Sequence, residues 1–358
     1  ALEEVVKRFG MPTFWTAVKH MFDYGEKIMR SYFEKIPDGR YVATGQLDND
    51  GLSDDPIPFE LAIEIEGSDV RLDFSKAPPV QKGPFNTPLP STISVSRVAM
   101  TMLAGFGEAP NEGHFRPLTV ITREDSMFHP LPPAPCFLYG WPGLQAIEVI
   151  YEAISKVLPK AVPASSGGCI CSLVSWGTRE ATGEPWADGA PHPVGQGAWD
   201  GGDGGTMMYI SQSATRLSPM EVCESRNPWI IECIALAQDS CGPGQYRGGL
   251  GLDLHFRMLE DTYMTPVIER TKNPPWGLEG GGIARANNAT VIYADGSTAD
   301  IPKTTRYLVP KGAVLKLTTG GGGGYGDSGM RESDAVMRDL KAGYISSEFA
   351  ARHYPHAL

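Results

Sequence analysis

Leu61-Ala-Ile-Glu-Ile-Glu-Gly67-Ser-Asp-Val-Arg-Leu-Asp-Phe74 reads as two strands joined by a tight turn. Leu61, Ile63 and Ile65 alternate with other residues, Gly67-Ser68-Asp69 reverses the chain, and Val70, Leu72 and Phe74 resume the period of two. Successive side chains of a strand point to opposite faces, so this spacing gathers the apolar set on one face of a paired ribbon. Upstream the period changes. Trp15, Val18, Met21, Phe22, Met29, Phe33 and Ile36 recur at three- and four-residue steps. That spacing predicts an amphipathic helix over 13–36, stopped by Pro37-Asp38-Gly39.

The same two periods predict further helices over 92–104, 143–158, 330–341 and 346–353. They predict strands over 117–122, 228–238, 250–258, 263–270, 289–293 and 313–319. Helices and paired strands mix without βαβ alternation, so the fold class is α+β: strand-rich, with Gly-rich loops and a few amphipathic helices. Pro130-Leu-Pro-Pro-Ala-Pro135 is a stiff, extended connector. It divides a helix-plus-hairpin region, 1–130, from a Gly-rich, strand-dominated region, 131–358.

The chain has 358 residues, 41% hydrophobic and 20% charged, which is enough apolar material for a sizeable core. Its 42 glycines and 30 prolines point to many turns and exclude a helical bundle. A net charge of −11 argues against nucleic acid or an anionic membrane surface as partner. The longest apolar stretch, Trp229–Ala237, is interrupted by Glu232 and is far short of the roughly 20 residues of a membrane span. No signal-peptide pattern opens the chain, and the six scattered cysteines form no C-x-x-C pair. A cytoplasmic protein with reduced thiols is the expectation. The sequence starts at Ala1, directly in helical pattern, which suggests a processed terminus or part of a longer polypeptide.

The most prominent local motif is Thr318-Thr-Gly320-Gly-Gly-Gly-Gly324-Tyr-Gly-Asp327, between a strand and a helix. It lacks the Gly-Lys-Ser/Thr of a phosphate loop, so the favoured reading is a backbone that must pack closely against another surface. Gly242-Pro-Gly-Gln-Tyr-Arg247-Gly-Gly-Leu-Gly251 has an arginine where a dinucleotide fingerprint needs its third glycine, and it leads into a strand. Arg247 is either a clamp for a carboxylate or phosphate, or a structural ion pair. Asp200 and Asp203 read as turn formers, Cys169-x-Cys171 has no second pair at zinc spacing, and Ser165-Ser166 has no neighbouring base. His353-x-x-His356 reads as a solvated tail rather than a metal pair. From motifs and spacing alone, no complete catalytic constellation is present.

An ordered set of segments nevertheless resembles one family nearly end to end. The set includes Ile36-Pro-Asp-Gly39, Val70-x-Leu-Asp73-Phe-Ser75 with Gly83-Pro-Phe-Asn86, and Pro110-Asn-Glu-Gly-His-Phe-Arg116-Pro117. It continues through Ser218-Pro-Met-Glu221-Val, Asp239-Ser-Cys-Gly-Pro-Gly-Gln-Tyr-Arg-Gly-Gly-Leu-Gly251, Pro275-Trp-Gly-Leu-Glu-Gly-Gly281 and the Thr319–Asp327 loop. Arg338-Asp339-x-x-x-Gly343-Tyr-Ile-Ser346 closes it. The order resembles the C-terminal portion of the hydantoinase B/oxoprolinase family.

The resemblance implies a B-type subunit of an ATP-dependent cyclic-amide hydrolase of the hydantoinase, oxoprolinase or lactamase type. It implies ATP and Mg²⁺ on a partner, the actin-like hydantoinase A-type subunit, in a hetero-oligomer. Related complexes carboxylate ketones such as acetone or acetophenone, which leaves ketone carboxylation as one alternative and a noncatalytic scaffold role as another. Full-length members carry an N-terminal half with an Asn-Asp-Pro-Tyr segment and a downstream His-x-x-Asp, and there the resemblance places a divalent metal ion. Asn-Asp-Pro-Tyr does not occur here, so no metal ligand and no cofactor site is expected in this chain. Asp73, Asn86, Arg116, Asp239 and Arg247 are the polar residues set in the family-like segments and are the candidates to line a functional site. Asp73 could equally cap a turn, Asn86 fix a loop and Asp239 satisfy loop amides.

Overall fold

The computed structural model describes residues 1–105, 107–208 and 217–358. The chain forms two compact units. The first comprises Ala1–Gly45, Pro58–Gln81 and Phe85–Leu158; the second comprises Gln46–Ile57, Lys82–Pro84 and Pro159–Leu358.

In the first unit the elements run α1 (Leu2–Phe9), α2 (Met11–Phe33), β1 (Gly39–Leu47), β2 (Ile57–Glu66), β3 (Asp69–Asp73), α3 (Leu89–Ala104), β4 (Leu118–Ile121) and α4 (Gly140–Ser155). The hairpin read from sequence is β2–β3. Ile65 pairs with Val70 and Ile63 with Leu72, and Glu66 opposite Asp69 closes the loop. Gly67 in that loop has φ 60°, where a side chain would be strained. The sheet order is β1-β2-β3-β4, with β4 parallel to β3. Leu61, Ile63, Val70, Leu72 and Phe74 are fully buried. Each such side chain contributes about 1.5–3 kcal/mol of burial. Phe128 meets Phe59 and Phe74 at ring-centroid distances of 5.2 and 5.0 Å, tying the hairpin to the loop after β4.

Two features here depart from the sequence pattern. Strand β1 was hidden because its inward set, Ala43, Gly45 and Leu47, is too small and mixed to show a period. Gly45 is required there: a Cβ would overlap Val149 of α4 and the Phe59 ring. The helix over 13–36 forms as α2, but only its C-terminal half is buried, at Gly25, Met29 and Phe33. Trp15 is 60% and Met21 49% exposed.

The second unit runs β5 (Ser172–Thr178), β6 (Pro185–Ala190), α5 (Met220–Arg226), β7 (Trp229–Leu236), β8 (Leu252–Met258), β9 (Thr262–Val267), β10 (Asn288–Ile292), β11 (Thr298–Asp300), β12 (Tyr307–Val309), β13 (Val314–Thr318), α6 (Ser333–Ala342) and α7 (Ser347–His353). Two antiparallel sheets result, of order β11-β10-β13-β8-β7 and β12-β9-β5-β6. In β8 the buried set is Leu252, Leu254, Phe256 and Met258, the alternation visible in the sequence. Among the described residues no helix is long and apolar enough to cross a membrane.

The glycine-rich segments stack as backbone against backbone. Gly242 N donates to Gly322 O at 2.8 Å, and Gly322 N donates to Gly249 O at 2.9 Å. Gly323 N donates to Ser165 O at 2.7 Å, Ala198 N to Gly323 O at 2.9 Å and Gly324 N to Gly282 O at 3.0 Å. A Cβ at Gly322 would overlap the Gln196 carbonyl, and one at Gly248 would overlap the Gly322 carbonyl. These chains approach too closely for any side chain, and they satisfy one another's N–H and C=O groups away from water. The close-packing reading of the glycine loop is therefore correct.

Helices α6 and α7 dock on the loop that feeds this bundle, through Cys241, Leu250, Val336, Ile345, Ala350 and Tyr354. Tyr354 is fully buried and its hydroxyl accepts from Gly244 N at 3.2 Å. His356 donates from Nε2 to Arg331 O at 2.8 Å. The segment expected as a solvated tail is thus anchored, because the buried tyrosine between the two histidines pulls it onto the bundle.

Gly322→Ala should cost more than about 3 kcal/mol of stability, since the nearest atoms are backbone and cannot swing aside. Gly296→Ala, at φ 84° with open space around it, should cost only about 1–2 kcal/mol. Urea denaturation of both variants against the parent checks the contrast.

Candidate functional site

Three of the five candidate residues lie in the first unit, and each is engaged in local closure. Asp73 ends β3 and accepts the Ser75 N–H at 2.8 Å. Asn86 is fully buried; it accepts from Gln81 N at 2.8 Å and donates to Gln81 O and Pro135 O at 3.0 and 2.8 Å. Arg116 reaches back to α2, pairing with Asp23 and Glu26 at 3.0 Å each. Its hydrogen bonds, with those from Lys19 and Arg30, hold both carboxyls below their ordinary range. A His-x-x-Asp spacing does occur in this chain, at His20 and Asp23 of α2, and Asp23 there is taken up by Lys19 and Arg116.

The other two candidates come together. Asp239 and Arg247 sit on the loop between β7 and β8, against the α6–α7 pair. Asp239, at φ 59°, accepts the Ser346 N–H at 2.7 Å, which fixes the start of α7. Arg247 donates from Nε to Asp339 of α6 at 3.0 Å, and its guanidinium lies 5.1 Å from the Tyr344 ring centroid.

Around Arg247 the structure assembles a charge network that the sequence showed only in pieces. Arg331 takes Asp203 in a two-pronged grip at 2.7 and 2.8 Å and donates to Asp339 at 2.7 Å. Asp203 also accepts the Arg247 backbone N–H at 2.9 Å. It is an anchor for two arginines rather than only a turn former. Burial pushes the Asp203 carboxyl up, but Arg331 and Arg247 outweigh it and hold the group below its ordinary range. Burial likewise lowers Arg331, and Asp203 with Asp339 more than reverses this. Two cations face two anions, so the network is neutral in sum. Its Asp203 and Arg331 line a surface groove of about 340 Å³, together with Gly202, Gln245 and Tyr246. Its chemistry is positioning: it holds the glycine loops and α6 in fixed register.

A second buried cluster was missed. Glu269 and Lys303, with side chains 1% and 4% exposed, form an ion pair. Glu269 accepts the Asp48 N–H at 2.8 Å, Lys303 donates to Asn49 O at 3.0 Å, and Asp48 accepts from both Thr271 N and Thr271 Oγ1 at 2.7 Å. Burial raises Glu269 to about 7, with Lys303 pulling it down and Asp48 pushing it up. The backbone N–H of Glu269 donates to Cys169 Sγ at 3.2 Å. Asn287 then connects this cluster to the glycine bundle by donating to Glu269 O at 2.7 Å and accepting from Gly320 N at 2.6 Å. Among the described residues no three His, Cys, Asp or Glu side chains are arranged to hold a metal ion.

Residues 1–328 match the hydantoinase B/oxoprolinase family, and the chain belongs to that family. The B component of a putative D-/L-hydantoinase from Pseudomonas sp. (strain NS671) is 27% identical over 366 residues, covering 98% of this chain and 61% of the relative. The chain thus spans 61% of that relative's length. Two solved structures share the fold. The ATP-dependent caprolactamase from Pseudomonas jessenii gives a TM-score of 0.88 at 21% identity, covering 100% of this chain and 63% of that one. An acetone carboxylase in nucleotide-free form gives 0.84 at 20% identity, covering 99% and 54%.

The network makes a direct energetic prediction. Asp339→Ala leaves Arg247 and Arg331 buried without their shared anion and should destabilise by about 3–5 kcal/mol. Asp23→Ala removes an exposed partner of Arg116 and should leave stability close to that of the parent. Equilibrium unfolding followed by tryptophan fluorescence reads both.

Proposed function

We propose that this chain is the C-terminal part of a B-type subunit in an ATP-dependent enzyme that hydrolyses cyclic amides. The observation that carries the reading is the family match over 1–328, supported by a relative named as part of a hydantoinase. An unstrained ring amide resists water at neutral pH because the nitrogen lone pair delocalises into the carbonyl. Transfer of the ATP γ-phosphoryl group to the carbonyl oxygen turns that oxygen into a leaving group. Water then adds to the activated carbon, the C–N bond breaks to leave an acyl phosphate, and a second water releases that phosphate, so each ring opened consumes one ATP and two waters and yields ADP and inorganic phosphate. In this reading ATP and Mg²⁺ sit on an actin-like A-type partner, a divalent metal ion sits on the N-terminal half of the B-type polypeptide, and the assembly is cytoplasmic. The described residues of this chain fit no metal site. They supply a rigid frame: glycine chains locked by their own backbone hydrogen bonds and clamped by buried ion pairs. The network of Arg247, Arg331, Asp203 and Asp339 is the candidate contact between that frame and the reacting parts, because Asp203 and Arg331 reach the surface at a groove.

The test uses the full-length polypeptide that contains this chain, copurified with its partner. Hydantoin, 5-oxoproline and a seven-membered lactam are offered with ATP. The expected result is ring opening in proportion to ADP formed, abolished by a nonhydrolysable ATP analogue. Turnover of ATP that requires bicarbonate and a ketone, with no ring opened, would overturn this reading. It would favour ketone carboxylation, the alternative suggested by the shared fold with acetone carboxylase.

A further inference from the structure

Helix α1 has eight residues, none of them buried. Leu2 is 70% and Phe9 53% exposed. Isolated helices shorter than about 12–15 residues are marginal in water, and most helices in proteins persist because an apolar face packs on something. The sequence of α1 provides such a face. Leu2, Val5, Val6 and Phe9 stand at i, i+3, i+4 and i+7, on an arc about 100° wide at 3.6 residues per turn.

Helix α2 repeats the pattern. Gly25, Met29 and Phe33 are the buried residues of its apolar face. Met11, Phe14, Trp15 and Val18 lie on that same face nearer the start of the helix, again over about 100°. There the face is open: Met11 and Trp15 are exposed, and Phe14 and Val18 are half-buried. The Phe14 and Trp15 rings meet edge to face at 5.5 Å. Gly10, at φ 78°, joins the two helices. One apolar stripe thus runs through both, with α1 and the first turns of α2 uncovered among the described residues.

The stripe's width and borders select what covers it. Glu3 and Lys7 border the α1 face on one side, Glu4 and Arg8 on the other. Each border carries both signs, so no single-sign field draws in a separate charged partner. A wide apolar face with neutral borders has the character of a permanent interface, a core cut in half. A second copy would present the same helix, and two helices meet along a narrower seam of a and d positions. A folded body with several elements covers the whole arc. This chain spans 61% of the hydantoinase relative and 63% of the caprolactamase chain, which leaves more than a third of each outside the match.

We propose that the remaining part of the full-length polypeptide folds over the apolar stripe of α1 and the first turns of α2 and holds α1 in place. This rests on the proposed function in one respect, that the chain is part of a longer B-type polypeptide.

The test uses the full-length polypeptide purified without its partner and reads neither ATP nor turnover. Hydrogen exchange is followed over Leu2–Val18 at two protein concentrations, in the parent and in Phe9→Asp. In a separate variant, Trp15→p-benzoylphenylalanine, light cross-links whatever lies over that position. The expected result is exchange in α1 about a hundredfold slower than in the exposed turn at Asp295-Gly296, at both concentrations. Phe9→Asp should speed it at least about tenfold while the amides of β2 and β3 keep the parent's rates. The cross-link should join Trp15's position to peptides of the same polypeptide outside this chain. If Phe9→Asp does not fold, faster exchange in β2 and β3 shows it and the cross-link decides. Exchange in α1 as fast as in the turn, protection unchanged in a folded Phe9→Asp, or cross-links found only between two copies, only with the A-type partner added, or only within this chain would each overturn the proposal. An intact mass equal to that of this chain would refute the longer-polypeptide reading and the proposal with it. Failure to open a ring amide would refute the enzymatic reading and leave the exchange and cross-link results standing.

Discussion

Close contact between glycine backbones is the constraint on which the second unit depends. Gly322 sits where its N–H reaches Gly249 O and its carbonyl takes the Gly242 N–H, with the Gln196 carbonyl in the place a Cβ would occupy. The same geometry recurs at Gly248, Gly323 and Gly324. Buried peptide groups must be paired, and here they pair outside any regular sheet. The arrangement gains close packing and hydrogen bonds but forgoes the apolar side-chain burial that normally offsets chain entropy. That burial has to come from neighbouring elements, which is why the bundle is flanked by β8 and β13 and by the α6–α7 pair.

Charged clamps hold the edges of this bundle. Arg247 and Arg331 share Asp339, and Asp203 draws in the loop of residues 200–205. At another edge, Lys303 and Glu269 secure residues 48 and 49, and Asn287 joins that cluster to Gly320. Buried pairs add little net stability over an apolar substitute, but losing one partner is costly. Their value here is register: Arg247 and Arg331 join the loops at 203 and 247 to α6, and Lys303 and Glu269 join residues 48 and 49 to the second sheet's edge loops.

Much of the fold was legible from local period alone. Leu61–Phe74 and the alternation of Leu252, Leu254, Phe256 and Met258 gave strands whose bounds the structure moves by only a few residues. Strands β5 and β6 were not legible. Ser175 points inward between apolar neighbours, and Pro185-Trp-Ala-Asp-Gly-Ala190 has the composition of a loop, so only pairing with β9 makes them strands. The candidate site was legible in part. Arg247 stood out because it interrupts a glycine run, Asp239 because it opens the family-like segment Asp239–Gly251, and both are anchored to the same helical pair. Glu269 and Lys303 gave no signal, since they lie 34 residues apart and each sits beside a turn where a charge is ordinarily solvated. His192, between two prolines, belongs to no metal or catalytic motif in the sequence, and no local pattern announces its burial.

Amide hydrogen exchange across Thr319–Tyr325 tests the central claim most directly, because it reads the backbone bonds of the bundle one segment at a time. If glycine-to-glycine hydrogen bonds hold the second unit together, these amides should be as strongly protected as those of β8 and should open only with the unit as a whole. Exchange as fast as in the exposed turn at Asp295-Gly296 would contradict the account and reduce the glycine segments to ordinary loops.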